Sequence, residues 1–215
     1  MKSLNVPCIP DLAQRSDAAL IEALETRGAA FDIDQVCWPD QFPYRPFCGG
    51  KLAHDGRSLA MIFHVWGLDL RARNLTDNGR QWEDSTCEFF VADPVDGTYY
   101  NFELNCVGRL LGGKGVCRQN RLVRPLTDLA QIRRWSSLPL QEVEENGSLQ
   151  GWAVAMVIPF TLMGFAPEET PKHLKVNFYK CADMTDHVHY LSWSRVGCPS
   201  PDFHRPEYFG ELALD

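Results

Sequence analysis

From Ser58 to Trp66 the chain alternates with a period of two: Leu59, Met61, Phe63 and Val65 point one way, Ala60, Ile62, His64 and Trp66 the other. That period belongs to a β-strand. Two more runs, residues 85–92 and 99–105, follow the same rule, joined by Asp93-Pro94-Val95-Asp96-Gly97, a turn by its chemistry. Residues 152–158 read as a strand ending at Pro159, residues 174–181 and 188–194 as a hairpin pair, and residues 207–214 as a last short strand. Many short strands with turn signals between them and little helix predict a mainly β fold. The expected architecture is an antiparallel β-sandwich, immunoglobulin-like or jelly-roll-like, with one or two short helices.

The helical signals are few. Residues 11–27 predict a helix in which Ser16 or Asp17 caps, Leu20, Ile21 and Leu24 share a face, and Gly28 stops the chain. Thr127 to Trp135 reads as a short helix or turn. Residues 37–50, rich in proline, aromatics and glycine, have the composition of an ordered loop. Gly108, Gly112, Gly113 and Gly115 loosen the chain without matching a dinucleotide fingerprint, and there is no P-loop lysine pattern. No linker, internal repeat or low-complexity tract divides the 215 residues. They predict one domain over 1–215, with residues 1–30 as an N-terminal helical extension.

At 45% hydrophobic and 11% aromatic the chain can fill a substantial core, and its net charge is −7 without a basic cluster. Nucleic acid and anionic membrane are therefore not expected as partners. No apolar run approaches the ~18 residues of a membrane span. The N-terminal stretch lacks the apolar segment of a signal peptide, so the default expectation for location is the cytoplasm. The eight cysteines contain no CxxC pair. An even count is compatible with disulfides. Cys87, Cys106 and Cys181 fall inside apparent strands, where a free cysteine acts as a small hydrophobe, and mostly free thiols are expected.

The chemistry concentrates between Trp82 and Asn105. Trp82 lies between a polar turn and an acidic strand start, placed either to stack on a sugar face or to pin a loop into the core. Alternation puts Glu88 and Phe90 on one face of their strand, opposite Cys87, Phe89 and Val91. In the next strand Tyr100, Phe102 and Leu104 form the apolar face, and Asn101, Glu103 and Asn105 share the other. A carboxylate accepts sugar hydroxyls in charge-assisted bonds. The same residues also suit an ordinary solvated face.

These blocks carry a resemblance. Trp82-Glu-Asp-Ser-Thr-Cys-Glu88-Phe-Phe, Tyr100-Asn-Phe-Glu103-Leu-Asn105, Trp152 to Ile158-Pro159, Asn177-Phe-Tyr-Lys-Cys181, Leu191-Ser-Trp193 and Asp202 to Gly210 keep one order over roughly residues 30 to 214. In that order they resemble the family 9 carbohydrate-binding modules, and more closely their free-standing bacterial relatives. The resemblance implies a β-sandwich that holds a mono- or oligosaccharide, often at a chain end, between two aromatics. It implies Trp82 as the aromatic that precedes the strand glutamate, Glu88, by six residues. It places the second clamp near Phe203 and His204, before the closing Pro-x-x-Phe-Gly. Where the family has a basic residue in the strand at Tyr100–Asn105, this chain has Glu103. The family's occasional structural calcium is the one metal the resemblance allows; no cofactor is expected.

The remaining candidates are weaker signals. Asp202-Phe203-His204-Arg205-Pro206 is a polar, proline-bounded loop whose residue mix suits a site, which adds Arg205 to the binding set. Trp193, with His189 and Leu191 as same-face neighbours, is either a second platform or core. Trp38, Trp135 and Trp152 are assigned to packing. His187, His189 and His204 do not complete a metal set by spacing, and none is expected. The leading expectation is non-catalytic binding of a small sugar or a polysaccharide chain end. The alternatives are a glycoside hydrolase using Glu88 and Glu103, or a haem or redox sandwich drawing on Met61, His64, Met156 and Met184.

Overall fold

The structure, a computed structural model, describes residues 2–215. Met1, which opens the expected N-terminal extension, lies outside the described residues. The strands run β1 Ser3–Val6, β2 Ala29–Asp32, β3 Gln35–Val36, β4 Phe47–His54, β5 Ser58–Gly67, β6 Thr86–Ala92 and β7 Tyr99–Asn105. They continue as β8 Leu110–Gly115, β9 Leu122–Val123, β10 Arg133–Ser136, β11 Gln150–Pro159, β12 His173–Cys181, β13 Tyr190–Ser192 and β14 Gly210–Leu214. Helix α1 spans Asp17–Arg27 and α2 spans Leu126–Leu129.

Two sheets form. The larger runs β1-β14-β12-β6-β7-β8-β9, with β13 and β3 attached beside the end of β12; the smaller runs β10-β11-β5-β4-β2. The expected β-sandwich is therefore present, and its neighbours are antiparallel except β1 on β14. The alternating residues fall as their period demands. Leu59, Met61, Phe63 and Val65 of β5 face the space between the sheets, where they meet Cys87, Phe89 and Val91 of β6 and Phe102 and Leu104 of β7. Phe178 sits at the centre of this core. Phe31 stacks on it at 4.4 Å, Phe89 lies at 5.3 Å, and Trp193 meets it edge-on at 5.5 Å. Burying each such side chain contributes about 1.5–3 kcal/mol.

The opposite side of the smaller sheet is covered by α1. Ser16 caps the helix by accepting the Ala19 N–H at 3.3 Å, and Asp17 and Arg27 suit the two ends of its dipole. Leu20, Ala23 and Leu24 pack on Ala53, Ala60, Ile62, Ala155 and Val157. A Cβ at Gly28 would lie 2.5 Å from the Leu24 carbonyl oxygen, so the chain leaves the helix there on a residue without one.

Several segments differ from the sequence expectation. Residues 1–30 are not purely a helical extension, because β1 joins the larger sheet in register with Glu211–Leu214. The glycine-loosened stretch is a strand, β8, paired along β7. Its glycines are demanded by close neighbours: a Cβ on Gly112 would meet Leu129 at 2.7 Å, and one on Gly113 would meet Asn101 at 2.6 Å. Residues 127–135 divide into the end of α2 and the start of β10. The 37–50 loop ends early, where β4 begins at Phe47.

Two polar features sit inside this frame. Lys180 is fully buried and finds three acceptors, Asp69 Oδ2 at 2.8 Å, His189 Nε2 at 2.8 Å and the Cys181 carbonyl at 2.9 Å. Burial and the adjacent Lys180 push His189 down to about 3, so it stays neutral, donating from Nδ1 to the His187 carbonyl. All eight cysteines are free. Cys48 and Cys87 face each other across the core with their sulfurs 3.9 Å apart.

Candidate functional site

The face of the larger sheet turned away from the core is where the chemistry gathers. Because side chains alternate, Glu88 on β6 leaves the core side to Cys87 and Phe89, and Glu103 on β7 leaves it to Phe102 and Leu104. The two strands pair so that Glu88 lies directly opposite Glu103, with Tyr179 of β12 beyond one and Leu111 of β8 beyond the other. The carboxylates thus form the floor of a cleft of about 690 Å³, a volume suited to a small ligand.

Both acids are buried, and both depart from ordinary glutamate behaviour. Burial pushes Glu103 up to about 7, against the Asn101 side chain, whose Nδ2 donates to Glu103 Oε1 at 2.8 Å. Burial, reinforced by the neighbouring Glu103, raises Glu88 well above the usual range. Its Oε1 accepts only the Cys181 thiol, at 3.0 Å. Glu103 Oε2 is buried with no protein partner.

Trp82 forms part of the wall. It sits in a short 3-10 turn, Gln81–Glu83, and is partly exposed. The turn is held by Asp84, a fully buried carboxylate that accepts the backbone N–H groups of Arg73 at 2.9 Å and Asn74 at 2.8 Å. Arg71 donates to the same carboxylate at 2.6 Å. On the other side the Asp183 N–H donates to the Trp82 carbonyl at 3.0 Å. The indole packs at the edge of the cluster that holds Trp38, Tyr179, Cys181 and Phe203 without entering the ring pairs of Trp38, Phe42, Tyr179, Tyr190 and Phe203.

Phe203 and His204 also line the cleft. Phe203 stacks on Tyr179 at 4.1 Å and its carbonyl accepts the Tyr179 hydroxyl at 3.0 Å, so the loop is pinned to β12. His204 Nδ1 shares a hydrogen bond of 2.9 Å with the Tyr99 hydroxyl. Burial, with Arg121 and Arg118 nearby, lowers it to about 3 and keeps it neutral.

Of the eight candidates, the structure brings five to one cleft: Trp82, Glu88, Glu103, Phe203 and His204. Three lie elsewhere. Trp193 is buried between the sheets against Phe178, so it is core rather than a second platform. Asn105 shares the Glu103 face but donates to the Asn74 carbonyl and to Asp84, which makes it a brace for the Trp82 loop. Arg205 is not among the residues that line the cleft and pairs at its edge with Asp202 at 2.9 Å.

Several lining residues carry no local signal in the sequence. Arg121 reaches in from the β8–β9 connection, donates to Asn101 Oδ1 at 2.9 and 2.7 Å, and lies over the Tyr99 ring at 4.3 Å. Arg118 of the same connection, Asp183 after β12 and Tyr190 at the start of β13 complete the rim. Asn101, already placed on the Glu103 face, is the one that sequence alternation could have added. The suggested haem ligands are scattered: Met61 and Met156 lie in the core, His64 bonds Glu25 on the outer side, and Met184 is exposed. Among the described residues no group of three or more His, Cys, Asp or Glu is disposed to hold a metal. No helix among them is long and apolar enough to cross a membrane.

With this geometry in view, the comparisons with known proteins are specific. The chain matches a candidate carbohydrate-binding protein from Bacteroides uniformis at 36% identity and TM-score 0.92, over 100% of this chain and 99% of that one. A family 9 carbohydrate-binding module from Caldicellulosiruptor kristjanssonii, solved with glucose, shares the fold at TM-score 0.59 and 12% identity, over 100% of this chain and 96% of that one. A family 9 module from Caldicellulosiruptor kristjanssonii solved with cellotriose gives TM-score 0.58 and 12% identity, over 99% of this chain and 93% of that one. No curated protein matches the chain. The sequence pattern described as carbohydrate-binding family 9 matches residues 18–214, and the chain belongs to that family.

Proposed function

We propose that this protein binds a mono- or oligosaccharide, or a polysaccharide chain end, without transforming it, and that residues 1–215 act as one binding domain. The observation that carries the reading is the cleft floored by Glu88 and Glu103 and walled by Trp82. The apolar face of a sugar ring stacks on the indole, and its hydroxyls turn to the two acids. Phe203 supports the opposite wall. Membership of the family and the sugars held by the two Caldicellulosiruptor kristjanssonii complexes agree with it.

Hydrolysis is the second reading, favoured by one observation. A carboxyl group raised to about 7 beside a second acid is how a glycosidase holds its proton donor.

A thermal-shift screen of mono- and disaccharides tests the binding reading. A sugar that raises the melting temperature of the native protein and not of Trp82→Ala supports it. A flat response across the panel contradicts it. Turnover of aryl glycosides, lost in Glu88→Gln, would favour the second reading.

A further inference from the structure

Among the described residues the two other buried acids each hold a cation: Asp69 has Lys180 at 2.8 Å and Asp84 has Arg71 at 2.6 Å. Glu88 and Glu103 are the exception. Their protein partners are a thiol and an amide, and Glu103 Oε2 has none. Arg121, which lines the cleft, spends its N–H groups on Asn101 Oδ1, the Tyr99 carbonyl and the Cys117 carbonyl. Arg118 is exposed at the rim, and a third acid, Asp183, lines the same cleft.

Burial and their mutual closeness hold both carboxyl groups back from ionising in the empty cleft, and a cation placed between them favours the ionised pair where a neutral ligand does not. A hydroxyl offers one donor. An ammonium group offers three donors, no acceptor and a positive charge, and its bonds to carboxylate are roughly twice as strong as neutral ones. We infer that the cleft is built for an amino sugar, whose protonated amine sits between Glu88 and Glu103 while its ring lies on Trp82. The inference rests on the sugar-binding reading and adds the ligand's charge to it.

Matched titrations test this: glucosamine, galactosamine and mannosamine, each against its parent hexose and its N-acetyl form, at pH 6.5. At least one amine is expected to bind about tenfold more tightly than its parent hexose, with the N-acetyl form losing that advantage. Glu103→Gln, which keeps the side chain's shape, is expected to bring amine and parent within about threefold. A hexose that binds as well as or better than its amine overturns the inference and leaves the sugar-binding reading standing. So does an amine preference that persists undiminished in both Glu103→Gln and Glu88→Gln. If no sugar of any kind binds, both fall together.

Discussion

Glu88 and Glu103 are direct cross-strand partners on β6 and β7, and both carboxyl groups are buried in the floor of one cleft. Their placement has a consequence for stability. A free glutamate titrates near 4.5, whereas burial moves Glu103 up to about 7 and Glu88 higher than normal. Between those values the folded chain binds more protons than the unfolded chain, so stability falls as pH rises through that window. Asp183, also raised by burial, adds to the fall, while Arg118 and Arg121 oppose it. Calorimetry from pH 5 to pH 8 should show Glu103→Gln losing less melting temperature than the native protein, by at least ~2 °C. Parallel curves would mean that Glu103 ionises normally.

Trp82 and Trp193 separate binding from packing. Trp82 is partly exposed in the cleft, and Trp193 is buried against Phe178 with a Cβ-free Gly210 beside its ring. Trp193→Ala should cost about 3–5 kcal/mol of unfolding free energy. Trp82→Ala should cost about 1–2 kcal/mol, because the ring is only partly buried at the edge of the Tyr179 cluster and its loop is held independently by the bonds to Asp84. Urea unfolding of the two variants checks the contrast, and equal losses would make Trp82 a core residue.

Asn105 acts on the site through that loop. It braces Asp84 and the Asn74 carbonyl from β7. Asn105→Ala should lower stability by about 1–2 kcal/mol, since it leaves a buried carboxylate short of a donor. It should also raise amide exchange in residues 74–84 while leaving β6 protected. Unchanged exchange there would show that Asn105 does not hold the loop.

Asp69 and Lys180 form the buried ion pair behind the cleft, with His189 neutral on the same ammonium. Lys180→Met strands a buried carboxylate and should cost about 3–5 kcal/mol. Adding Asp69→Asn should recover part of that loss, read as a positive coupling in a double-mutant cycle. Additive losses would place the pair's contribution elsewhere.

The sheets were legible where alternation is strict and both ends carry turn chemistry. Strands β5, β6 and β7 meet that condition, β11 shows instead as an apolar run stopped by Pro159, and Gly97, with φ of 73°, closes the β6–β7 turn as its sequence suggests. Strand β8 hid because the glycines that make it fit under Leu129 and Asn101 look like a loosened chain. Strand β1 hid because four residues, Ser3–Val6, gain their meaning from a parallel partner at the far end of the chain. The site divides in the same way. Trp82, Glu88 and Glu103 sit close together on the turn and strands of the β6–β7 region, and Phe203 and His204 in a proline-bounded loop. Arg118 and Arg121 come from the β8–β9 connection and Asp183 from the segment after β12, and only the assembled sheet puts them at one rim. Trp193 stayed open between platform and core because its neighbours in sequence are polar while its neighbours in space are the inter-sheet rings.

The central claim is that the Trp82 cleft holds a sugar, and isothermal titration tests it most directly. The best sugar from the panel would be titrated into the native protein and into Trp82→Ala at matched concentration. Saturable binding with one site per chain, weakened at least tenfold in the variant, is the predicted result. Equal affinity in both proteins would place the sugar outside this cleft and contradict the account.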